Sequence, residues 1–426
     1  MKTSRYNFVL YDEYYGYWYN SLSGFYFRLS LELSRKIESS LNCLDVLKRE
    51  ATPLYDKLTK YGFIIENNFD ELAIIRERHQ RAVHSKNYFL VILPTLNCNF
   101  KCWYCIQNHV PSYMKANTLE ALKKHIDYMI EVKQISSLHI DWFGGEPFML
   151  FKKIIVPLSM YAIEKCALHG IPFINSSTTN GYFITPEVSN CLTDLKFTNF
   201  QITLDGEKEF HDKVKFMDGC SSTFEHVLNN INDILNKNAN IRIFLRINYT
   251  HKNLSLGIIP EVNKLIFKEN RPRITITPKK VWQEDVDKSF GVVLQKILDD
   301  FEKSGYVVSR REIATTFIPC YVNKEYYNAI NYNGNVVKCT ACDDIHKETT
   351  KGRLLDDGRI VWEDSYDTKC QSPTFENEKC LRCNRLPVCM GLCPRDYMSG
   401  FSHCKYEVMD ENFEVSLLDY LQHQLG

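Results

Sequence analysis

The middle of the chain alternates between short apolar runs and longer stretches whose apolar positions recur at helical spacing. Alternation of this kind predicts parallel strands that are each followed by a helix. The predicted strands are residues 90–93, 138–142, 173–178, 200–204, 241–247 and 274–277, and the predicted helices include 119–132, 153–169, 224–236 and 258–268. We therefore predict an α/β fold for residues 86–305, with the functional residues at the carboxyl ends of the strands.

The segments on either side have different patterns. Residues 1–85 contain short β-prone runs at 6–11, 16–20 and 24–29 that are followed by helical stretches, which predicts a small α+β domain. From residue 306 the strands become short, nine cysteines appear, and a helix is predicted over 411–424. We therefore expect three domains, at residues 1–85, 86–305 and 306–426.

Composition argues against several classes of function. Lys plus Arg and Asp plus Glu each number 52, so no net charge attracts nucleic acid or an anionic membrane surface. No apolar window reaches the roughly 18–20 residues that span a bilayer, and residues 1–6 lead into no signal-like segment, so we expect a cytoplasmic protein. Sixteen cysteines in such a chain favour metal binding or redox chemistry over disulfides.

Three cysteines follow the first predicted strand of the α/β region in the spacing CxxxCxxC. They are Cys98, Cys102 and Cys105, and their loop begins after an apolar run over 88–93 that ends at Pro94. Three thiolates in this spacing can bind three irons of an iron–sulfur cluster. The fourth iron then stays open, which gives a substrate or cosubstrate a place to bind.

Polar motifs follow the next strands at the same predicted edge. The second strand leads into GGEP at 144–147, whose glycines allow close backbone approach or positive φ and whose Glu146 adds a carboxylate. Asn180 follows the third strand, and Thr203 and Asp205 lie at the end of the fourth. These short polar side chains could bind a ribose or a carboxylate.

Together these motifs resemble the signature of the radical SAM enzymes, in which an aromatic residue, here Tyr104, precedes the last cysteine of CxxxCxxC. The resemblance implies a partial (β/α)6 barrel. It also implies a 4Fe–4S cluster on Cys98, Cys102 and Cys105 that binds S-adenosylmethionine through its open iron. The residues that would contact S-adenosylmethionine are Tyr104, Gly144, Gly145, Glu146, Pro147, Asn180, Thr203 and Asp205.

The cysteines after residue 306 form a second pattern. Cys320, a Gly334-x4-Cys339 motif, a CxxCx5CxxxC run over 380–393 and Cys404 are similar to the seven-cysteine SPASM domain of radical SAM peptide maturases. The resemblance implies two auxiliary 4Fe–4S clusters, hence three clusters in all, with zinc as the structural alternative. The implied ligands are Cys380, Cys383, Cys389 and Cys404 for one auxiliary cluster, and Cys320, Cys339 and Cys393 for the other.

Two details of this pattern leave the chemistry open. The fourth ligand of the cluster on Cys320, Cys339 and Cys393 could be Cys342 or Cys370, or the iron could stay open to a substrate thiolate. Sulfatase-maturing members of the family carry an aspartate directly after the cysteine of the Gx4C motif, where it accepts a proton. Here that position is Thr340, and the nearby carboxylates Asp343 and Asp344 are out of register.

From these motifs we expect a radical SAM oxidoreductase that cleaves S-adenosylmethionine reductively and uses the deoxyadenosyl radical to modify a peptide, through a thioether or carbon–carbon crosslink. The expected partners are a precursor peptide and an external one-electron reductant such as flavodoxin or ferredoxin. Residues 1–85 loosely resemble the peptide-recognition domain of such maturases, which would bind a leader peptide by strand addition; a domain that only packs against the barrel is the alternative. The competing functions are an anaerobic sulfatase-maturing enzyme, a non-catalytic iron–sulfur protein that binds a peptide and passes electrons, and a zinc-dependent nucleic-acid-binding protein.

Overall fold

A computed structural model describes residues 1–284, 290–309, 319–341, 345, 347–370, 373–389, 391–398, 400, 404 and 413–425. The chain forms two compact units, which we describe separately. The sheet unit comprises residues 86–310 and 326–366, and the terminal unit comprises residues 1–85, 311–325 and 367–426. Cys342, Asp343 and Asp344, which the sequence singled out, lie outside the described residues.

The sheet unit is built on the six predicted strands, which are all present and parallel. They are β6 Asn87–Leu93, β7 Ser137–Trp142, β8 Phe173–Thr179, β9 Phe197–Leu204, β10 Arg242–Tyr249 and β11 Ile274–Lys280. Consecutive strands pair with one another, because each crossover returns the chain to the next position in the sheet. Their six carboxyl ends therefore lie along one edge.

The sheet continues beyond these six strands, which the sequence pattern did not predict. β12 Val307–Val308 adds in parallel to β11, and β13 Tyr327–Asn331 adds in parallel to β6. β14 Asn335–Val337, β15 Gly352–Leu354 and β16 Ile360–Trp362 then add as an antiparallel meander. Among the described residues this gives an 11-stranded mixed sheet, and its edge strands β12 and β16 do not pair with each other.

The two faces of the sheet have different environments. One face packs against helices, and side chains such as Leu90, Ile140 and Ile202 are fully buried there. Because successive residues of a strand point to opposite faces, their neighbours in sequence line the other face, which we call the open face. Polar side chains occur there, and His139 and Asp141 keep partial exposure.

The helices of the sheet unit lie mostly between consecutive parallel strands. They are α5 Ala116–Asp127, α6 Val156–Leu168, α7 Pro186–Ser189, α8 Lys208–Val214, α9 Thr223–Lys237, α10 Ile258–Leu265 and α11 Phe290–Lys303. Two π-helical segments, Tyr128–Val132 and Phe151–Ile155, adjoin α5 and α6. Within the part of the chain that the structure describes, no helix combines the length and apolar character needed to cross a membrane.

In the terminal unit the three predicted β-prone runs form an antiparallel sheet of β2 Asn7–Tyr11, β3 Tyr15–Asn20 and β4 Tyr26–Ser30. The helices α1 Leu31–Ser40, α2 Leu44–Glu50 and α3 Thr52–Lys60 share an apolar cluster with buried Trp18. A separate cluster joins Phe8 to Phe413, the first residue of a C-terminal helix. The remaining elements are β1 Lys2–Thr3, β5 Ile64–Ile65, α4 Glu71–Val83, α12 Tyr366–Lys369, α13 Glu378–Arg382, α14 Leu386–Cys389, α15 Pro394–Met398 and the C-terminal helix α16 Phe413–Leu425.

Candidate active site

The cysteine loop follows β6 at the carboxyl edge of the parallel strands. Two N–H groups point at the sulfur of Cys98: the backbone nitrogen of Phe100 lies 3.4 Å from Sγ, and Nδ2 of Asn180 lies 3.7 Å from it. Burial raises the pKa of Cys98 to about 12 and that of Cys102 to about 11, and it also raises the pKa of Cys105. Burial therefore disfavours the thiolate forms of these cysteines, and the positive charge of bound iron would compensate that effect.

The GGEP motif is held against the start of the cysteine loop by two backbone hydrogen bonds. The nitrogen of Gly145 donates to the Thr95 carbonyl at 3.0 Å, and that of Glu146 donates to the Asn97 carbonyl at 2.8 Å. A Cβ on Gly144 would lie 2.4 Å from the Thr95 oxygen, and one on Gly145 would lie 2.0 Å from the Asn97 oxygen. Only glycine fits at both positions, so the two glycines permit close contact between two loops of the protein.

Glu146 is fully buried, and both of its carboxylate oxygens accept hydrogen bonds. The backbone nitrogen of Phe148 donates at 2.9 Å, that of Asn180 donates at 2.8 Å, and the Thr179 hydroxyl lies 2.8 and 2.9 Å from the two oxygens. Burial raises the pKa of Glu146 to about 7, and the hydrogen bonds oppose that shift. Glu146 thus joins the loop after β7 to the end of β8 and brings Asn180 beside Cys98.

A second buried network joins the cysteine loop to β9 and β10. The Tyr104 hydroxyl donates to Oδ1 of Asp205 at 2.5 Å, and Nδ2 of Asn248 donates to the Tyr104 hydroxyl at 3.1 Å. Lys215, only 2% exposed, lies 3.3 Å from Oδ2 of Asp205 and donates to the carbonyl and hydroxyl oxygens of Thr203, each at 2.7 Å. Tyr104, Thr203 and Asp205, which the sequence marked separately, therefore meet around one buried lysine.

The charge of Lys215 extends to the cysteine loop. It lowers the pKa of Cys102 and of Cys105, although burial outweighs it and leaves both pKa values raised. Thiolates with N–H donors beside them and a cation nearby form an environment that suits an iron–sulfur cluster, so the residues present fit such a group. Across the described ranges, no three His, Cys, Asp or Glu side chains converge closely enough to hold a single metal ion.

In the terminal unit, the four cysteines predicted for one auxiliary cluster interact electrostatically. Burial and the neighbouring thiols Cys389, Cys383 and Cys404 raise the pKa of Cys380 to about 11. Cys383, Cys389 and Cys404 therefore each lie close enough to Cys380 to affect its charge. Their role as cluster ligands stays a prediction.

For the other predicted auxiliary cluster, on Cys320, Cys339 and Cys393, the structure does not identify a fourth ligand among the described residues. Cys342, one alternative fourth ligand, lies outside the described residues, and the thiol of Cys370, the other alternative, is buried and donates to the sulfur of Met398 at 3.4 Å. The ligand assignment of this set also stays a prediction. The three cysteines divide between the units, with Cys339 in the sheet unit and Cys320 and Cys393 in the terminal unit.

Two residues of the site were not identified from the sequence. Thr179 directly precedes Asn180, so the polar strand end that marked Asn180 also contained the signal for Thr179. Lys215 follows α8 in a polar stretch, and nothing in the pattern distinguishes it from exposed lysines such as Lys213. Its burial depends on packing against β9, which sequence periodicity does not report.

Comparison with known proteins gives the class of this site. Residues 92–256 match the model of the Radical SAM superfamily, so the chain contains a radical SAM domain. That segment includes the CxxxCxxC loop, the GGEP motif and the strand ends that carry Asn180, Thr203 and Asp205. The family resemblance expected from the motifs is thereby confirmed.

Individual curated relatives share less than 30% sequence identity with this chain over the matched segments. A serine-type anaerobic sulfatase-maturating enzyme of Bacteroides thetaiotaomicron is 27% identical over 161 residues, which cover 35% of this chain and 37% of that protein. An Fe-coproporphyrin III synthase of Methanosarcina barkeri is 29% identical over 181 residues, which cover 42% of this chain and 41% of that protein. The chain thus spans about two fifths of the length of the curated relatives it matches.

A solved structure extends the likeness in fold. A histidine-tagged form of anSMEcpe with bound AdoMet superimposes with a TM-score of 0.54 at 19% identity, over 79% of this chain and 98% of that chain. At this identity the likeness concerns the fold alone. It agrees with a radical SAM α/β fold on a large mixed sheet.

Proposed function

We propose that this chain is a radical SAM enzyme that oxidatively modifies a peptide and joins two of its positions by a thioether or carbon–carbon bond. The observation that carries the proposal is the convergence of motifs at one sheet edge. The cysteine loop follows β6, the GGEP motif is hydrogen-bonded to it, and the polar ends of β8 and β9 reach it through Asn180 and Asp205. The sequence similarity to a sulfatase-maturating enzyme and an Fe-coproporphyrin III synthase disfavours the non-catalytic alternative.

In this proposal Cys98, Cys102 and Cys105 hold the 4Fe–4S cluster. When bound, the cluster supplies the electron that cleaves the sulfonium of S-adenosylmethionine and releases a deoxyadenosyl radical. The chain's own residues position the ligand: Glu146 fixes the geometry of the loops, and Lys215 holds the Asp205 carboxylate that accepts from Tyr104. The proposed contacts to S-adenosylmethionine are Tyr104, Gly144, Gly145, Glu146, Pro147, Asn180, Thr203 and Asp205.

A peptide substrate is supported by the sulfatase-maturating relatives, because a sulfatase is itself a polypeptide. The terminal unit offers a site for an extended segment of such a substrate. Its strand β4 is an edge strand with no further strand paired to it among the described residues, and its residues 26–29 are half-buried. We assign the leader peptide to this edge, where backbone hydrogen bonds would give affinity and side-chain pockets specificity.

Electron transfer completes the proposal. The SPASM-like cysteines would hold two auxiliary clusters, and the electrostatic effect of Cys383, Cys389 and Cys404 on Cys380 supports one of them. An external one-electron donor such as flavodoxin or ferredoxin would supply the reducing electron. The partners in this proposal are therefore a peptide and a redox protein, with neither nucleic acid nor membrane.

A sulfatase-maturing activity is the second candidate, and the sulfatase-maturating relatives favour it. Thr340 argues against it, because sulfatase-maturing members carry an aspartate at that position in their Gx4C motif. Two sets of synthetic peptides distinguish the two candidate functions: segments of sulfatases, and cysteine-containing peptides unrelated to sulfatases. Tandem mass spectrometry that finds a crosslink only in the latter supports the leading proposal, and modification of the sulfatase segment alone supports the second.

The test of radical SAM chemistry is anaerobic reconstitution, reduction with dithionite and measurement of deoxyadenosine. We expect the wild type to form deoxyadenosine, and the triple variant Cys98→Ala, Cys102→Ala, Cys105→Ala to form none and to hold about four fewer irons per chain. Cys191→Ala is the matched control, because Cys191 is an exposed thiol of the same unit. A triple variant that behaves like the control would eliminate the proposal.

A further inference from the structure

A polar cluster on the open face of the sheet is not used by the site described above. It consists of Asp141 and His139 on β7 and Ser176 on β8. Asp141 and Ser176 are direct cross-strand partners, and His139 lies two residues before Asp141 on the same face. The Ser176 hydroxyl donates to Oδ1 of Asp141, and Nε2 of His139 lies 2.7 Å from the Ser176 oxygen.

The direction of these hydrogen bonds is determined by the number of protons available. A serine hydroxyl has one proton, and Ser176 donates it to the carboxylate. His139 must therefore donate its Nε2 proton to the Ser176 oxygen, which fixes the Nε2–H tautomer of the neutral ring. The hydrogen bonds thus run from His139 to Ser176 and from Ser176 to Asp141, whose carboxylate is the final acceptor.

Asp141 keeps one oxygen free for a further proton. Oδ1 accepts from Ser176, whereas Oδ2 has no hydrogen-bond or ion-pair partner among the described residues, and Asp141 is only partly buried. Its cross-strand neighbours, Val91 on β6 and Ser176 on β8, carry no charge, and His139 is the titratable group that the hydrogen bonds link to it. Burial raises the pKa of Asp141 to about 6, and the hydrogen bond from Ser176 opposes that rise.

The position of Asp141 relates it to the proposed reaction. It lies on β7, three residues before Gly144, and the strand ends at Trp142 before the GGEP motif begins. The aspartate that accepts a proton in sulfatase-maturing members is replaced here by Thr340. A carboxylate near the site with an ordinary acidic pKa would be a weak base, whereas one poised close to neutral pH suits general-base catalysis.

We propose that Asp141 is the proton acceptor of the peptide oxidation, and that Ser176 and His139 are positioning residues that hold its carboxylate. This inference rests on the proposed function. A crosslink forms when a C–H and an X–H group of the peptide, where X is sulfur or carbon, become one C–X bond. One hydrogen atom leaves to the deoxyadenosyl radical; the remaining electron leaves to an iron–sulfur acceptor, and the remaining proton binds Oδ2 of Asp141.

The variants that test this assignment preserve the packing of the strand. Asp141→Asn keeps an oxygen that accepts from Ser176 but cannot take up a proton, and Ser176→Ala removes the hydrogen bond that holds the carboxylate. Ser177→Ala is the matched control, because the adjacent Ser177 is equally buried and its hydroxyl donates to the Trp142 carbonyl at 2.8 Å on the packed side.

The first readout is crosslinked product per deoxyadenosine, with synthetic cysteine- and serine-containing peptides as probes. We expect Asp141→Asn to lower this ratio by about 10-fold or more. Ser176→Ala should shift the acid limb of the ratio's pH profile toward higher pH, and Ser177→Ala should leave the ratio unchanged. An Asp141→Asn ratio within about twofold of the wild type would overturn the assignment.

The second readout needs no cluster and no peptide. In metal-free protein with 13C-labelled aspartate, the carboxyl signal that Asp141→Asn removes should titrate near pH 6, and Ser176→Ala should raise that midpoint. A midpoint near the ordinary aspartate value of about 4 would refute a base poised near neutral pH. Absence of deoxyadenosine in the wild type would instead refute the proposed function, and the two failures are thus distinguishable.

Discussion

Replacing Gly145 by alanine should separate the two loops that form the site. The new Cβ would lie 2.0 Å from the Asn97 carbonyl oxygen and 2.6 Å from that of Leu96, and both atoms belong to the backbone. The loops must move apart by roughly 1.4 Å to restore an ordinary contact of 3.4 Å. Such a movement breaks the hydrogen bonds from Gly145 to Thr95 and from Glu146 to Asn97, which are 3.0 and 2.8 Å long.

The magnitude follows from these losses. Each hydrogen bond is worth about 1 kcal/mol, and the strain of an overpacked site adds about 1–3 kcal/mol. We therefore expect Gly145→Ala to reduce the free energy of unfolding of the sheet unit by about 3–5 kcal/mol. Cluster binding should weaken as well, because the displaced segment begins the cysteine loop.

The assay is urea unfolding of the metal-free protein, followed by near-UV circular dichroism, together with the iron content after reconstitution. Gly291→Ala is the matched control, because a Cβ on Gly291 meets no atom within 4 Å, and in helix α11 it should be neutral or stabilising. The reasoning would be refuted if Gly145→Ala unfolded at the same urea concentration as the control and bound the same amount of iron.

Two further predictions concern buried charge. Lys215→Met should reduce the free energy of unfolding by about 3–5 kcal/mol, because it leaves the buried carboxylate of Asp205 without its cation. In a double-mutant cycle, adding Asp205→Asn should restore part of this loss, and strictly additive effects of the two substitutions would contradict the pairing. Lys213→Met, at an exposed position, is the control. Burial lowers the pKa of His125 to about 4, so stability should fall as the pH decreases from the unfolded-state pKa of about 6.5 toward 4, by about 2 kcal/mol at pH 5. His125→Gln should remove that part of the pH dependence in urea titrations at pH 5 and 7, and an unchanged difference would contradict it.

The sheet could be predicted because its signal is local. The run over 88–93 is almost entirely apolar, which is typical of a parallel strand buried on both faces, and it became β6. The later strands β13 to β16 contain only three to five residues each, too few to show a period. Their addition to the edge of β6 depends on backbone pairing between distant segments, which no sequence pattern encodes.

The polar residues of the site also fall into two groups: those that a local motif identifies, and those that join the site only through folding. The motifs located Glu146 and Asp205 correctly at strand ends, because turns with glycine and short polar residues are recognisable. The partners Thr179 and Lys215 could not be predicted, since Thr179 is 33 residues from Glu146 and Lys215 is 10 residues from Asp205 along the chain, and each pair meets only after folding. The Asp141 cluster was missed for the same reason, because it arises from the register between β7 and β8.

The structure also changes what a loss-of-function variant at the signature motif would mean. Gly144 and Gly145 approach protein backbone, and Glu146 is saturated by donors from the chain itself. A substitution at any of these positions disturbs the cysteine loop whether or not the residue touches S-adenosylmethionine. Lost activity alone therefore cannot identify a contact to the cofactor, and binding must be compared among variants whose urea unfolding is unchanged. The same check applies to Asn180, because its side chain is buried and its Nδ2 donates to Oδ1 of Asn99 at 2.8 Å beside Cys98.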